Sequence, residues 1–349
     1  MRSRIGFVAS LLALSLGAAA CGGGDPAPDS PVAASSATTA AKEGGKLVVY
    51  SGRNENLIRP LIDRFKEESG IDVEVRYADT TELTAALLEE GDASPADVFF
   101  SQDAGALVAL EAEGRLAELK EGVADDVPER FRDPQNHWTG VTGRARTIAF
   151  NPEKLSQAEL PENFLEVVDP MWKGRVGLAP TNASFVSHIS ALLIEIGEDD
   201  VKKFLAELKA SDPKIYDSNG LVVKAVASGE IDLGLVNHYY ALNEKKENPG
   251  ASVANIYPQE GAFVNLAGVG VIEGAENRAQ ADRFVDFLLS KEGQEFFRTE
   301  TNEYPLVEGM SGPEGQPALA ELKTIDLPLD ELGKDLQRSA TLIKEAGLS

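Results

Sequence analysis

Residues 47 to 78 have the sequence LVVYSGRNENLIRPLIDRFKEESGIDVEVRYA. The apolar run LVVYSG ends at a turn-forming glycine, and an amphipathic segment with helical spacing follows it over residues 55 to 70. IDVEVRYA then alternates apolar and polar residues as a half-buried strand does. A strand, a helix and a second strand in this order are typical of an α/β fold with parallel strands.

The same alternation continues along the chain. TTELTAALLEEG has helical spacing, ADVFFSQD is an apolar strand, and AGALVALEAEG is a further helix. About 300 residues follow Lys46, which is more than one hydrophobic core usually supports. We therefore predict two lobes, each a mainly parallel sheet flanked by helices, with the second lobe beginning near TGRARTIAFNP.

The N-terminus is typical of a bacterial lipoprotein signal peptide, predicted over residues 1 to 21. Arg2 and Arg4 precede an apolar stretch that is too short for a permanent membrane anchor, and Cys21 follows small residues. Ala18 departs from the leucine that usually precedes such a cysteine, so simple cleavage with a free thiol stays an alternative. Lipidation of Cys21 and a flexible linker over residues 22 to 45 are the expectation.

Composition excludes several classes of function. Cys21 is the only cysteine, which excludes disulfides, thiolate metal sites and cysteine nucleophiles in the folded body. The net charge of −24 argues against nucleic acid or an anionic membrane surface as a partner. The HExxH, P-loop, GxSxG and GxGxxG patterns do not occur, and the three histidines are widely spaced. We therefore do not expect an enzyme.

Two adjacent tyrosines, Tyr239 and Tyr240, follow the apolar run LGLVN. In doubly wound sheets the ligand lies beyond the carboxyl ends of the strands, so these phenols are expected at a ligand site. Phenolate oxygen is a hard anionic donor that suits a ferric ion. From the residues alone, core packing, ferric coordination and stacking against an organic ligand all stay open.

Several motifs in a fixed order resemble the ferric-ion-binding solute-binding proteins of bacterial iron ABC importers, which are analogues of transferrin. They are LVVYSGRNE, GDASPADVFFSQDAGAL, TGRARTIAFNP, DPMWKGRVGLAPTNASF, SNGLVVKAVASGEIDLGLVNHYY and SKEGQEFF. The resemblance implies a two-lobe periplasmic-binding-protein fold (type II-like) with a hinge of extended segments. It also implies Tyr239 and Tyr240 as ferric ligands, an ABC permease with its ATPase as partners, and a monomer.

In one branch of this family, phosphate or carbonate completes the iron shell as a synergistic anion. The resemblance places that anion on residues from three loops: Asn182, Ala183, Ser184, Asn219 and Asn237. PTNASFVSH also supplies a helix start, where free backbone N–H groups attract anions, although ordinary helix capping is an alternative. Arg53 is a further anion candidate, and Arg144 is kept as a supporting candidate beside the ligands; a hinge position or a surface salt bridge is the alternative for Arg144 and Arg146.

Two departures from the family pattern affect the first lobe. Asn54 and Gln102 stand where the phosphate-using branch has a histidine and a glutamate ligand, so both are kept as weak metal candidates. Asp103 is a hard oxygen next to Gln102, although it is also suited to capping the following helix. Ala183 stands where another branch has a third tyrosine, and His238 is assigned a supporting position beside the ligands.

The expected boundaries are a first lobe of residues 46 to 146 and 270 to 320, and a second of residues 147 to 269 and 321 to 349. The expected function is extracytoplasmic capture of Fe(III) and its delivery to a permease, from a lipid anchor on the outer face of the cytoplasmic membrane or in the periplasm. The alternative is a receptor for an organic anion such as a phosphonate or sugar phosphate.

Overall fold

The computed structural model describes residues 44 to 327, 329, 332 and 335 to 349. The predicted signal peptide, Cys21 and all but the last two residues of the predicted linker lie outside the described residues. The folded body is a mixed sheet of eleven strands with helices packed around it. The main path of the sheet runs in the order β2 (Asp72–Tyr77), β1 (Lys46–Ser51), β3 (Val98–Ser101), β10 (Val264–Ile272), β5 (Trp138–Phe150), β8 (Leu233–Asn237), β6 (Val176–Leu178) and β7 (Lys214–Ile215). Three short strands pair with members of this path: β4 (Leu116–Ala117) with β10, and β9 (Ala254–Ile256) and β11 (Tyr304–Pro305) with β5.

The first lobe holds the strand–helix alternation that the opening stretch predicts. Its elements are β1 (Lys46–Ser51), α1 (Glu55–Ser69), β2 (Asp72–Tyr77), α2 (Thr80–Glu90), β3 (Val98–Ser101), α3 (Ala104–Ala112), β4 (Leu116–Ala117), α8 (Arg278–Leu289), α9 (Lys291–Phe296) and β11 (Tyr304–Pro305). β2 and β3 both pair in parallel with β1. A π-helical turn over Phe297–Thr301 leads from α9 to β11.

Helix α1 shows how local sequence places these elements. The Asn54 side chain accepts from the backbone N–H of Asn56 and begins the helix, and Gly70 ends it with a left-handed φ of 73°. Ile58, Leu61 and Phe65 recur at helical spacing and are buried in the first core. Each contributes about 1.5–3 kcal/mol relative to an exposed side chain.

The second lobe repeats the alternation around its own apolar clusters. Its elements are β6 (Val176–Leu178), α4 (Ala183–Ile196), α5 (Glu198–Ala210), β7 (Lys214–Ile215), α6 (Asn219–Ser228), β8 (Leu233–Asn237), α7 (His238–Glu247), β9 (Ala254–Ile256) and α10 (Leu336–Glu345). β6 pairs in parallel with both β7 and β8. α10 supplies Leu342 and Ile343 to the core of this lobe.

Two long strands join the lobes: β5 (Trp138–Phe150) and β10 (Val264–Ile272). Residues 138 to 145 of β5 pair with β10 in the first lobe, and residues 146 to 150 pair with β8 and β9 in the second. The chain crosses between lobes in these strands at Ala145–Arg146 and just before β10 at Phe263–Val264, where the Arg146 N–H donates to the Phe263 carbonyl. Both of these crossings are extended segments, as expected for the hinge, and the chain crosses a third time between β11 and α10.

Strand pairing corrects two details of the sequence-based description. The sheet is mixed rather than mainly parallel, because β5 and β10 run antiparallel to each other and to their neighbours β8 and β3. Residues 264 to 269 belong to the first lobe, because their pairing partners are residues 139 to 145 of β5. The sequence boundary at residue 269 is therefore a few residues late, since one continuous apolar run carries no signal of where its neighbours change.

Candidate metal and anion site

The tyrosine pair lies where the strand-end rule places it. β8 ends at Asn237 and α7 begins at His238, so Tyr239 and Tyr240 occupy the first turn of a helix at the carboxyl end of a buried strand. Their rings stack with centroids 4.4 Å apart and planes inclined by 28°. Both residues are partly buried. The two phenols therefore point in one direction and can act on one ligand.

Burial and the neighbouring Tyr240 phenol raise the pKa of Tyr239 well above its ordinary value of 10, while the Arg144 guanidinium acts in the opposite direction. The phenol is therefore neutral at physiological pH when no ligand is bound. A strongly positive ligand that coordinates the oxygen would remove the proton, because a trivalent ion stabilises the anionic form. Such a pair favours a highly charged cation over a neutral solute.

Arg146 faces both tyrosines from β5 and is completely buried. Its Nη1 lies 3.2 Å from Ser184 Oγ and 3.4 Å from Asn237 Oδ1, and its Nη2 donates to the Leu235 carbonyl at 2.7 Å. Within the described part of the chain no carboxylate pairs with it, and burial lowers its pKa to about 9 despite the opposing effect of the phenols. Arg146 thus lies at the crossing between the lobes, in agreement with the hinge interpretation, but it forms no salt bridge within the described residues.

The residues assigned to the anion gather around Arg146. Asn182 caps α4 by accepting from the Ser184 N–H at 3.0 Å, and the Ser184 hydroxyl donates to the same oxygen at 2.7 Å. Asn219 Nδ2 donates to Asn182 Oδ1 at 3.1 Å and to Ser184 Oγ at 2.9 Å. Ala183 is the first residue of α4. The result is a polar network at a helix N-terminus, beside an uncompensated guanidinium.

The first-lobe candidates have other partners. Arg53 is buried and donates to the Glu303 carboxylate at 2.5 Å and to Gln102 Oε1 at 2.9 Å. Asn54 is exposed and caps α1, and Asp103 caps α3 by accepting from the Ala106 N–H at 3.1 Å. Burial raises the pKa of Asp103 from its ordinary value. The capping roles that the sequence suggests for Asp103 are thus observed, and the metal roles of Asn54 and Gln102 stay predictions.

Glu303 is a central residue that sequence reasoning missed. It is buried, and its carboxylate also accepts from Thr142 at 3.1 Å and Thr301 at 3.2 Å. Burial opposes its ionisation, but Arg53 and Arg144 outweigh that effect and hold the pKa of Glu303 below its ordinary value. Glu303 lies among many carboxylates in a charged segment and 250 positions from Arg53, so no local pattern identifies it.

Arg144 on β5 and His238 at the start of α7 lie next to the tyrosine pair. Arg144 is buried, donates to the Leu266 carbonyl at 2.9 Å and to the Gln102 carbonyl, and its Nε lies 4.0 Å from Glu303. The Nδ1 atom of His238 accepts from the Ala145 N–H at 3.2 Å, and its ring packs on Tyr304. Burial lowers the pKa of His238 to about 4, so this ring is neutral. The supporting roles of Arg144 and His238 beside the tyrosines stay predictions.

No helix within the described ranges has the length and apolar character needed to cross a bilayer. A family profile described as bacterial extracellular solute-binding protein matches residues 93–326. The Fe(3+)-binding periplasmic protein of Serratia marcescens is 34% identical over 310 residues, which are 86% of this chain and 90% of that protein.

Solved structures show the same architecture. Iron-bound HitA from Pseudomonas aeruginosa aligns with a TM-score of 0.79 and 30% identity over 86% of this chain and 99% of its own. A Trichodesmium protein, IdiA or FutA in complex with iron and citrate, aligns with a TM-score of 0.77 and 27% identity over 87% of this chain and 100% of its own. These matches extend over both lobes and confirm the two-lobe α/β fold. The chain belongs to the family of bacterial extracellular solute-binding proteins.

Proposed function

We propose that this protein captures ferric ion between its two lobes and delivers it to an ABC permease with its ATPase. The observation that carries the proposal is the stacked pair of Tyr239 and Tyr240 beside Arg146, a buried guanidinium with no carboxylate partner in the described chain. Two phenolates supply hard anionic oxygens to the ion, and the guanidinium holds an anion that completes the shell.

The names of the relatives support the same function. The Serratia protein is named for Fe(3+) binding, and the Pseudomonas structure is iron-bound. Phosphate or carbonate is the proposed small anion, held by Arg146, Ser184 and the amides of Asn219 and Asn237. Closure by bending at the two extended crossings would enclose the ion.

The location and state of the protein complete the proposal. Family membership supports a place in the cell envelope. A lipid on Cys21 would keep the protein at the outer face of the cytoplasmic membrane, where it would act as a monomer.

Visible spectroscopy tests the proposal. Purified protein mixed with ferric salt and bicarbonate, phosphate or citrate is expected to develop a tyrosinate-to-iron charge-transfer band. Tyr239→Phe and Tyr240→Phe should each weaken or abolish the band, whereas the control Tyr216→Phe removes a phenol that bonds Glu230 elsewhere in the lobe and should keep it. A wild-type protein that stays colourless and retains no iron with any of these anions would refute ferric capture and favour the organic-anion receptor.

A further inference from the structure

Three side chains that can bind a metal ion meet on the first lobe, apart from the tyrosine pair. Glu111 lies near the end of α3, and Asp133 and His137 lie in the loop that leads into β5; we call these residues the α3–β5 cluster. His137 Nδ1 is 3.1 Å from Asp133 Oδ2 and 3.9 Å from Glu111 Oε1, and the three donor atoms all lie within 4.8 Å of one another. Two donors bound at about 2.1 Å to one tetrahedral ion are about 3.4 Å apart, so these separations fit a shared ion.

A hydrogen bond alone does not account for this arrangement. The Nδ1 atom of His137 carries at most one hydrogen, and two carboxylates face it. Asp133 is 4% exposed, and its Oδ2 atom already accepts from the His137 backbone N–H at 2.8 Å. A metal ion in place of the ring hydrogen would bind the nitrogen and both carboxylates at once.

A buried donor without an acceptor lies beside the cluster. Glu111, Asp133 and Trp138 line one cavity of about 630 Å³. Trp138 is 3% exposed, and its Nε1–H has no hydrogen-bond partner within the described residues. The Nε–H of Arg132, which lines the same cavity, is also buried without a partner. Buried donors of this kind are unfavourable unless a ligand supplies oxygen, as the water bound to a metal ion does.

The charge of the cavity suits a divalent cation. Within the described part of the chain, four acidic and two basic side chains line it: Glu111, Glu129, Asp133, Asp326, Arg130 and Arg132. Four negative and two positive charges leave a formal charge of −2, which one divalent ion balances. An imidazole nitrogen with two carboxylate oxygens suits zinc and other divalent transition metals, whereas calcium and magnesium prefer oxygen ligands alone.

We propose that Glu111, Asp133 and His137 form a second metal site, which binds one divalent transition-metal ion, with Zn²⁺ as the probe. The ion joins the end of α3 to the loop before β5, and a water molecule on the ion accepts from the Trp138 N–H. Trp138 lies seven residues before Ala145 at the lobe crossing, which is about 23 Å along an extended strand. The second site is therefore separate from the tyrosine pair, and its occupation does not depend on ferric capture.

Calorimetric titration of iron-free protein with zinc chloride tests the proposal. The background is the variant with Tyr239→Phe and Tyr240→Phe, which lacks the phenols that could also bind zinc. We expect one zinc ion per chain, and Glu111→Gln, Asp133→Asn and His137→Gln should each raise the Kd for zinc at least about tenfold. The matched control is Glu113→Gln, which removes an exposed carboxylate two residues from Glu111 and should leave the Kd unchanged.

Thermal melting separates a metal ligand from a residue that only supports the loop. Zinc at one hundred times its Kd should raise the Tm of the background variant by about 4 °C. Asp133→Asn keeps an oxygen that can accept from the His137 N–H, so its Tm in EDTA should stay close to that of the background. At the same zinc concentration, its rise in Tm should fall to about half or less.

The remaining outcomes are equally decisive. A background variant that binds no zinc, or zinc binding that all three cluster substitutions leave unchanged, would overturn the second site. Calcium that displaces zinc at equal concentration would overturn the assignment to a transition metal. With both tyrosines present, His137→Gln should keep the ferric charge-transfer band of the wild type. Zinc binding at the cluster without any ferric band would refute ferric capture and leave the second site standing.

Discussion

Replacing Glu303 with glutamine tests whether one carboxylate stabilises the first-lobe side of the site. Glu303 is 3% exposed and lies 2.5 Å from Arg53 and 4.0 Å from Arg144. Glutamine keeps the shape and removes the charge, so two guanidiniums remain buried without their counterion. Breaking a buried pair in this way costs about 3–5 kcal/mol. With an unfolding entropy of about 2.1 cal/mol/K per residue over roughly 300 residues, this loss lowers Tm by about 5–8 °C.

Calorimetry or circular dichroism of the iron-free protein measures this shift. Glu300→Gln is the matched control, because Glu300 lies three residues earlier and forms an exposed pair with Lys246 at 3.2 Å. It should change stability by less than about 1 kcal/mol. A Glu303→Gln variant that melts within about 1 °C of the control would refute the reasoning, since the arginines would then be compensated by other groups.

The pH dependence of the Arg53–Glu303 pair follows from the direction in which the pKa of Glu303 is shifted. The pKa of Glu303 in the folded protein lies below its ordinary value of 4.5. Its contribution is therefore present above about pH 4.5 and is lost as the pH falls through the folded-state pKa. The difference in stability between wild type and Glu303→Gln should be constant near neutral pH and shrink below about pH 4.5.

Two further predictions concern neutral histidines and close packing. Burial lowers the pKa of His188 to about 3 and that of His238 to about 4, from an ordinary value of 6.5. Only the unfolded chain gains these protons as the pH falls below 6.5, so the free energy of unfolding should fall by about 1.4 kcal/mol per pH unit for each histidine down to about pH 4. Urea titrations measure this fall. A fall no larger than the carboxylates alone produce would contradict the prediction. In Gly52→Ala, the added Cβ would lie 3.0 Å from Thr80 Cβ and 3.1 Å from its Cα, and Thr80 also accepts from the Gln102 N–H. Thermal melting should show a loss of about 1–3 kcal/mol, and the control Gly220→Ala, whose Cβ meets only Ser218 Oγ at 3.9 Å, should show none.

The second-lobe half of the site was predictable from sequence because its residues follow a topological rule. Asn182, Asn219 and Asn237 each lie at a strand-to-helix junction of one lobe, either in the connection or at the end of an element, and strand ends of one sheet converge in space. The adjacent tyrosines follow the strand that a single apolar run predicts. Their stacking depends on side-chain rotamers in the first helical turn, which no spacing rule specifies.

The first-lobe half was less predictable because its interactions are between distant segments. The Arg53–Glu303 pair joins the end of β1 to the start of β11, and the choice of one carboxylate among 57 acidic residues is made by tertiary packing. Arg146 did carry a signal, since an arginine directly before the mostly apolar segment TIAF and two positions after Arg144 is unusual for a buried strand. The structure shows that all residues of β5 are buried, so Arg146 is a buried charge and not a surface residue.

The position of the crossing connects ligand charge to lobe closure. Arg144 and Arg146 lie on opposite sides of the crossing, so bending between Ala145 and Arg146 changes the distance between two buried positive charges. Their repulsion opposes close approach when no anion is present, and an anion that pairs with both favours it. An anion that binds only Arg146 provides no such preference, because a ligand shifts an equilibrium only through its different affinity for the two states. We therefore expect ferric ion supplied with citrate, whose several carboxylates can pair with both guanidiniums, to close the lobes more completely than ferric ion supplied with bicarbonate. Small-angle scattering of the two loaded forms would then give a smaller radius of gyration with citrate, and equal radii would contradict the argument.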